Sequence, residues 1–245
     1  ILTIISGCAS IMNVSTEHNS IIPHGYYDFS PPEIITSQDR ITFLLINPTI
    51  KQSADRYYLI QNPFKTFTKN MGIDFEEMMV AKGMLLKGPY EDYESVVFSD
   101  KNEADLCFEP ELDLQFTGSA LKEKPSLTNI YGQKISNGYF YYDGNMNLIG
   151  KLNLFIYEPH TKVKLWIKSV PLKSEEFYLK SKYRYNGSNI PLSDPGIWST
   201  INETLNSMYR TALITSWRQL DMNELKLKVV EAKKIAEKAG YIKAR

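Results

Sequence analysis

Leu106-Cys107-Phe108-Glu109-Pro110-Glu111-Leu112-Asp113-Leu114-Gln115-Phe116 alternates apolar and polar side chains along its length. Successive side chains of a strand point to opposite faces. This period of two therefore predicts a strand with Leu106, Phe108, Leu112, Leu114 and Phe116 on a buried face and Cys107, Glu109, Glu111, Asp113 and Gln115 on a wet one. Pro110 falls in the apolar register without an N–H to donate, which predicts a bulge or an edge position. Upstream, Ile41-Thr42-Phe43-Leu44-Leu45-Ile46 is apolar on both faces and closed by Asn47-Pro48, as expected of a strand in the middle of a sheet.

Between these strands, Asn62-Pro63 offers an N-cap followed by proline in the first turn. Phe64, Phe67, Met71, Phe75, Met78 and Lys82 then share one helical face until Gly83, with a kink expected at Gly72. Residues 84–90 and 93–98 read as weaker strands. Downstream, 121–136 reads as a loop, 137–142 and 148–157 as strands, and Asp143-Gly144-Asn145 as a turn. Glu158-Pro159-His160-Thr161 joins 148–157 to 163–170 in a hairpin. Asp194-Pro195 starts a long helix with Ile197, Ile201, Leu205, Met208 and Ala212 on its apolar stripe and Trp198 and Trp217 outside it. Asp221 with Glu224 opens a last helix carrying Leu225, Val229, Ala232, Ile235 and Ala236, closed by Gly240. Strands first and helices last predict an α+β fold: a mixed or mainly antiparallel sheet with helices packed on one face and long C-terminal helices.

Ile5-Ser6-Gly7-Cys8 matches a bacterial lipobox, with an aliphatic residue three before the cysteine and small residues directly before it. Residues 1–8 are thus expected to be the remnant of a lipoprotein signal segment and Cys8 the lipidation site. Ala9, in place of the Asp that retains many lipoproteins in the inner membrane, favours an outer-membrane address. Residues 9–39, rich in Ser, Asn, Pro and Tyr, read as a tether from which Tyr26, Tyr27 and Phe29 can pack back, and 40–245 as one α+β domain. Lys+Arg 28 against Asp+Glu 28 leaves zero net charge, which argues against a nucleic-acid binder. No later apolar run approaches the roughly 18 residues of a membrane-spanning helix. Cys107, between Leu106 and Phe108, reads as an inert buried thiol.

Catalytic patterns are sparse. His18, His24 and His160 lack a Glu or Cys at metal-ligand spacing, and no phosphate-binding loop or nucleophile elbow is present. No catalytic residue, metal or cofactor is expected. Glu109, Glu111 and Asp113 share a strand face at steps of about 6.6 Å and read as its solvated side, with an acid-dependent hydrolase as the remote alternative. On the hairpin, strict alternation puts Val163, Leu165, Ile167 and Ser169 on one side. Lys162, Lys164, Trp166 and Lys168 fall on the other, a basic stripe with an indole suited to an anionic sugar. The plainer reading of that stripe is a solvated face whose lysines protect an edge.

Several of these segments resemble one family. The 41–47 strand before a polar helix, the Lys82-Gly83 helix end, Ser99-Asp100-Lys101 before the alternating strand, and Phe155-Ile156-Tyr157-Glu158-Pro159 before the hairpin are similar to the neuraminyllactose-binding hemagglutinin family. Its members are outer-membrane and flagellar-sheath lipoproteins of gastric bacteria, and this chain resembles a paralogue. The resemblance implies a sialic-acid-binding segment near Ala120-Leu121-Lys122-Glu123-Lys124-Pro125-Ser126, where Lys122 and Lys124 keep a basic character and Glu123 and Pro125 depart from it. The expected function is that of a non-enzymatic, lipid-anchored, adhesin-like outer-membrane lipoprotein on the cell surface or flagellar sheath, with sialylated host glycans as partners. The alternative is a non-catalytic accessory module that binds another envelope protein.

Overall fold

In the computed structural model the alternating stretch forms β4 (Leu106–Gly118), which lies inside a seven-stranded mixed sheet. The structure describes residues 29–35, 40–51, 62–118, 120–181, 184 and 195–241. Cys8, Tyr26, Tyr27, His18 and His24 lie outside them. On one side of β4 run two parallel strands in succession, β1 (Thr42–Ile46) and β2 (Thr49–Lys51). On the other side runs the antiparallel β8 (Tyr139–Tyr157). The far side of β1 pairs in parallel with β3 (Leu85–Tyr90), so β1 is central, as its two apolar faces require.

Pro110 causes neither a bulge nor an edge. The ladder from β4 to β8 runs in unbroken register from Cys107 to Gly118. On the parallel side, β1 ends its pairing at Phe108 and β2 begins at Glu111. Proline is tolerated there because no parallel partner is registered opposite it.

Helix α1 (Asn62–Ala81) runs through Gly72 without interruption; a Cβ at Gly72 would lie 3.2 Å from Pro48 Cδ, so the glycine lets the helix approach the β1–β2 connection. Phe67, Met71, Phe75 and Met78 are buried, and Lys82 places its ammonium 4.2 Å from the Trp217 ring. Helix α3 (Pro195–Gln219) buries Trp198 and Trp217 as well as its expected stripe. Its buried surface is wider than one strict stripe because it packs on β8, on α1 and on β9 (Lys164–Lys180). Asp221 caps α4 (Met222–Lys238) by accepting from the N–H groups of Asn223 and Glu224. These helices and the even-numbered face of β4 and β8 share the main core. That core reaches back into the expected tether: Phe29 is buried, its N–H donates to Asp74, and its ring lies 6.3 Å from that of Trp217.

Residues 93–98 are not a strand. They lead into a short helix, α2 (Phe98–Glu103), which contains Ser99-Asp100-Lys101 and is held to β3 by Asp100, the acceptor for Lys87 Nζ at 2.9 Å and for the Tyr90 hydroxyl. Lys87 also pairs with Glu103 at 2.6 Å. Behind this anchor Leu44, Ile46, Val96, Ala104, Cys107 and Tyr157 form a small second core on the opposite face of the sheet. The expected loop at 121–136 contains β5 (Leu121–Lys124), β6 (Leu127–Thr128) and β7 (Lys134–Ser136). The expected turn at Asp143-Gly144-Asn145 is interior to β8, paired with Lys180, Leu179 and Tyr178 of β9. Turn-forming residues are kept extended there because a full ladder lies beside them.

Candidate functional site

β5 continues the line of β4 along β8, with Lys122 opposite Tyr141 and Lys124 opposite Tyr139. Directly opposed residues share a face, and residues two apart share it too, so both lysines and both tyrosines project together. Glu123 pairs with Phe140 and projects the other way. The acid that interrupts the basic run in sequence is thus on the opposite side of the strand in space. The tyrosine rings lie 5.9 Å apart at 50°; Lys124 Nζ is 5.8 Å and Arg184 Cζ 4.5 Å from the Tyr139 ring. At the margin, Asp143 accepts a hydrogen bond from the Tyr178 hydroxyl, which holds its carboxyl below the ordinary range, and Lys122 and Lys180 act in the same direction. Cations on an exposed strand beside partly exposed aromatic faces can take the carboxylate and the apolar ring side of an acidic sugar.

The hairpin residues do not form one stripe. A register shift between Ile156 and Tyr157 breaks the alternation, so Leu165 and Trp166 are both buried. Trp166 faces the helices, where its indole N–H donates to Glu224 Oε1 at 2.7 Å. Lys168 Nζ lies 3.4 Å from the same carboxylate. Lys164 is on the other face, 4.2 Å from the Phe155 ring and 5.6 Å from that of Tyr157. Lys162 lies 3.9 Å from Glu94 and 4.7 Å from the Tyr93 ring. Strict alternation could not reveal the shift.

Beside Lys164, on the outer face of the sheet, Glu109 is half-buried, and this burial pushes its carboxyl above the ordinary 4.5, with Glu111 and Glu94 adding to the effect and Lys162 and Lys164 opposing it. Farther along, Asn153 donates to Glu111 at 3.0 Å and accepts from Ser169 Oγ at 2.6 Å, while Lys51 and Lys151 each stand 3.9 Å from Asp113. These carboxylates are tied into the polar surface of the sheet. A folded-state pKa above the unfolded one means that the stabilising effect is complete below about 4.5 and lost as pH rises through the folded value. Glu109→Gln should therefore raise the melting temperature more at neutral pH than in acid, as thermal unfolding in two buffers will show.

A cavity of about 410 Å³ lies between α2, the β8–β9 turn and α4, with Lys101, His160, Lys233, Glu237 and Tyr241 in its wall. His160 stacks on Tyr241 at 4.4 Å and meets Phe98 edge-on at 5.5 Å. Glu158, almost fully buried, accepts from the N–H groups of His160 and Thr161 and from the Thr161 hydroxyl, holding the turn closed. Three distant segments make this cavity, and no local pattern announces it. Burial pushes the Cys107 thiol up to about 12, so it stays protonated and unreactive. Among the described residues no group of three His, Cys, Asp or Glu is placed to hold a metal, and no helix is long and apolar enough to cross a membrane.

The fold has a counterpart among solved structures. A crystal structure described as a neuraminyllactose-binding hemagglutinin homolog from Helicobacter pylori aligns over 85% of this chain and 96% of its own, at a TM-score of 0.56 and 13% identity. The two chains share a fold. Rare lipoprotein B from Shewanella oneidensis (TM-score 0.28, 8% identity, 76% of this chain and 98% of that one) and a hypothetical protein from Chlamydia trachomatis (0.31, 8%, 73% and 96%) stand farther off and carry no argument. No protein-family model matches the chain, and no curated protein sequence matches it.

Proposed function

We propose that this chain is a non-catalytic, lipid-anchored outer-membrane lipoprotein whose Lys122–Lys124–Tyr139–Tyr141–Arg184 surface binds sialylated glycans. The observation that carries the reading is the convergence of three exposed cationic side chains and two partly exposed tyrosines on one face. A sialic acid offers a carboxylate for the cations and an apolar ring side and acyl group for the tyrosines. The fold shared with the hemagglutinin homolog supports the reading, as does the lipobox at Cys8. Trp166, Lys168 and Glu224 act as structural groups that fasten α4 to β9. A glycan array is the test: sialylated sugars should be bound in preference to their neutral counterparts. Retention of a single envelope protein with no sugar binding would replace this reading with that of an accessory module.

The anchor makes its own prediction. Cys8→Ser removes the acyl chains, each buried methylene of which is worth about 0.8 kcal/mol, so the variant should pass from the detergent phase to the aqueous phase. Detergent phase separation of cell extracts checks it, and a variant that still partitions into detergent contradicts it.

A further inference from the structure

Beyond Lys124 the β5–β8 ladder continues into a projecting finger. Its two strands, β6 and β7, pair Leu127 with Ser136 and Thr128 with Lys134, and residues 129–133 turn between them. The turn is firmly built. Asn129 Oδ1 accepts from the N–H groups of Tyr131 and Gln133 at 3.0 and 2.8 Å, Asn129 Nδ2 donates to Gln133 Oε1 at 3.1 Å, and two backbone bonds between 129 and 132–133 close it. Gly132 takes the left-handed conformation, φ 78°, that this closure needs. At the base of the finger a Cβ on Gly138 would lie 3.0 Å from Ser126 N and 3.1 Å from Lys124 O, so the strands approach closely there.

This rigid turn presents apolar side chains to solvent. Ile130 is 91% and Tyr131 81% exposed, with Ile135 and Leu127 exposed below them. An Asn-caged turn has no need of Ile or Tyr at its apex. From 121 to 138 the charged residues are Lys122, Lys124 and Lys134 against Glu123 alone, in a protein whose overall charge is zero. An aliphatic and an aromatic side chain at a tip, with lysines behind them, match the order of a bilayer surface, where hydrocarbon lies beneath anionic headgroups. We propose that the β6–β7 finger docks on anionic phospholipid bilayers, with Ile130 and Tyr131 entering the interface, Lys134 meeting the headgroups, and Lys122 and Lys124 adding to the attraction at longer range. Ile130 lies six positions beyond Lys124, so the Lys–Tyr face would stand within about 20 Å of the inserted tip.

The test uses the full chain carrying Cys8→Ser, so that any membrane affinity belongs to the body and not to acyl chains. It should sediment with vesicles containing phosphatidylglycerol, bind pure phosphatidylcholine vesicles more weakly, and be released as salt rises. Adding Ile130→Ser and Tyr131→Ser should lower vesicle affinity at least about tenfold while leaving the melting temperature unchanged, because both side chains are exposed. Tyr131→Trp should shift its fluorescence to the blue on binding. A parent chain that stays in the supernatant with both vesicles, or a double variant that binds as the parent does, overturns the proposal. Sialyllactose binding in solution does not involve the tip, so failure of either idea is separable from failure of the other.

Discussion

Trp166→Ala is expected to lower the free energy of unfolding by about 3–5 kcal/mol, read from the midpoint of a urea titration. The indole is 6% exposed within the core between sheet and helices, and its N–H is bonded to Glu224. Removing the ring opens a cavity between β9 and α4 and takes away one of the contacts that hold the last helix. Trp166→Phe keeps most of the packing and loses the hydrogen bond, so it should cost only about 1 kcal/mol beyond any change of shape. A side chain that served only to stack on a sugar would behave differently, since exposed substitutions stay within roughly 0.5 kcal/mol. An unchanged midpoint for Trp166→Ala would mean that α4 does not cover this strand.

Gly150→Val should prevent folding, and Gly150→Ala should cost about 3 kcal/mol, the upper part of the range for overpacking a core. Gly150 lies in β8 between β4 and β9, opposite Leu114 and Leu172. A Cβ built there would meet Asp113 O at 2.3 Å, Leu114 Cδ2 at 3.0 Å and Leu172 Cδ1 at 3.3 Å. The nearest atom belongs to the backbone of the neighbouring strand, so relief requires parting the ladder and cannot come from a rotamer change. Soluble yield and urea midpoint read this directly. Gly150→Ala with parental stability would refute the close approach of β4 and β8.

Parts of the molecule with a strong local period were legible in the sequence. The alternation at 106–116, the doubly apolar run at 41–46 and the Asp221 cap each have a local physical cause and appear where those causes put them, except that Cys107, expected on the wet face, is buried because α2 and its flanking residues cover that end of the sheet with a second core. Elements without such a cause were not legible. β5, β6 and β7 are wholly exposed, so no hydrophobic pattern marks them. α2 has no buried residue and is held by Lys87 and Tyr90 of another element. Asp143-Gly144-Asn145 has turn chemistry that a paired ladder overrides. Among the candidate site residues, Lys122 and Lys124 came from family resemblance, whereas Tyr139, Tyr141 and Arg184 join them only through the β5–β8 register and the approach of Arg184 to the Tyr139 ring. Trp166 was misplaced because alternation holds only until a register shift, and the shift beside Tyr157 is a property of two strands together.

The proposed glycan-binding surface is tested most directly by calorimetric titration of sialyllactose into the full chain, its Lys122→Ala/Lys124→Ala variant and its Tyr139→Ala variant. Saturable binding is expected for the parent, weakening as salt screens the cations. The double variant should lose it, and Tyr139→Ala should weaken it by about tenfold through the lost aromatic face, with melting temperatures preserved throughout. No heat of binding for the parent, or equal affinity in all three proteins, would contradict the account.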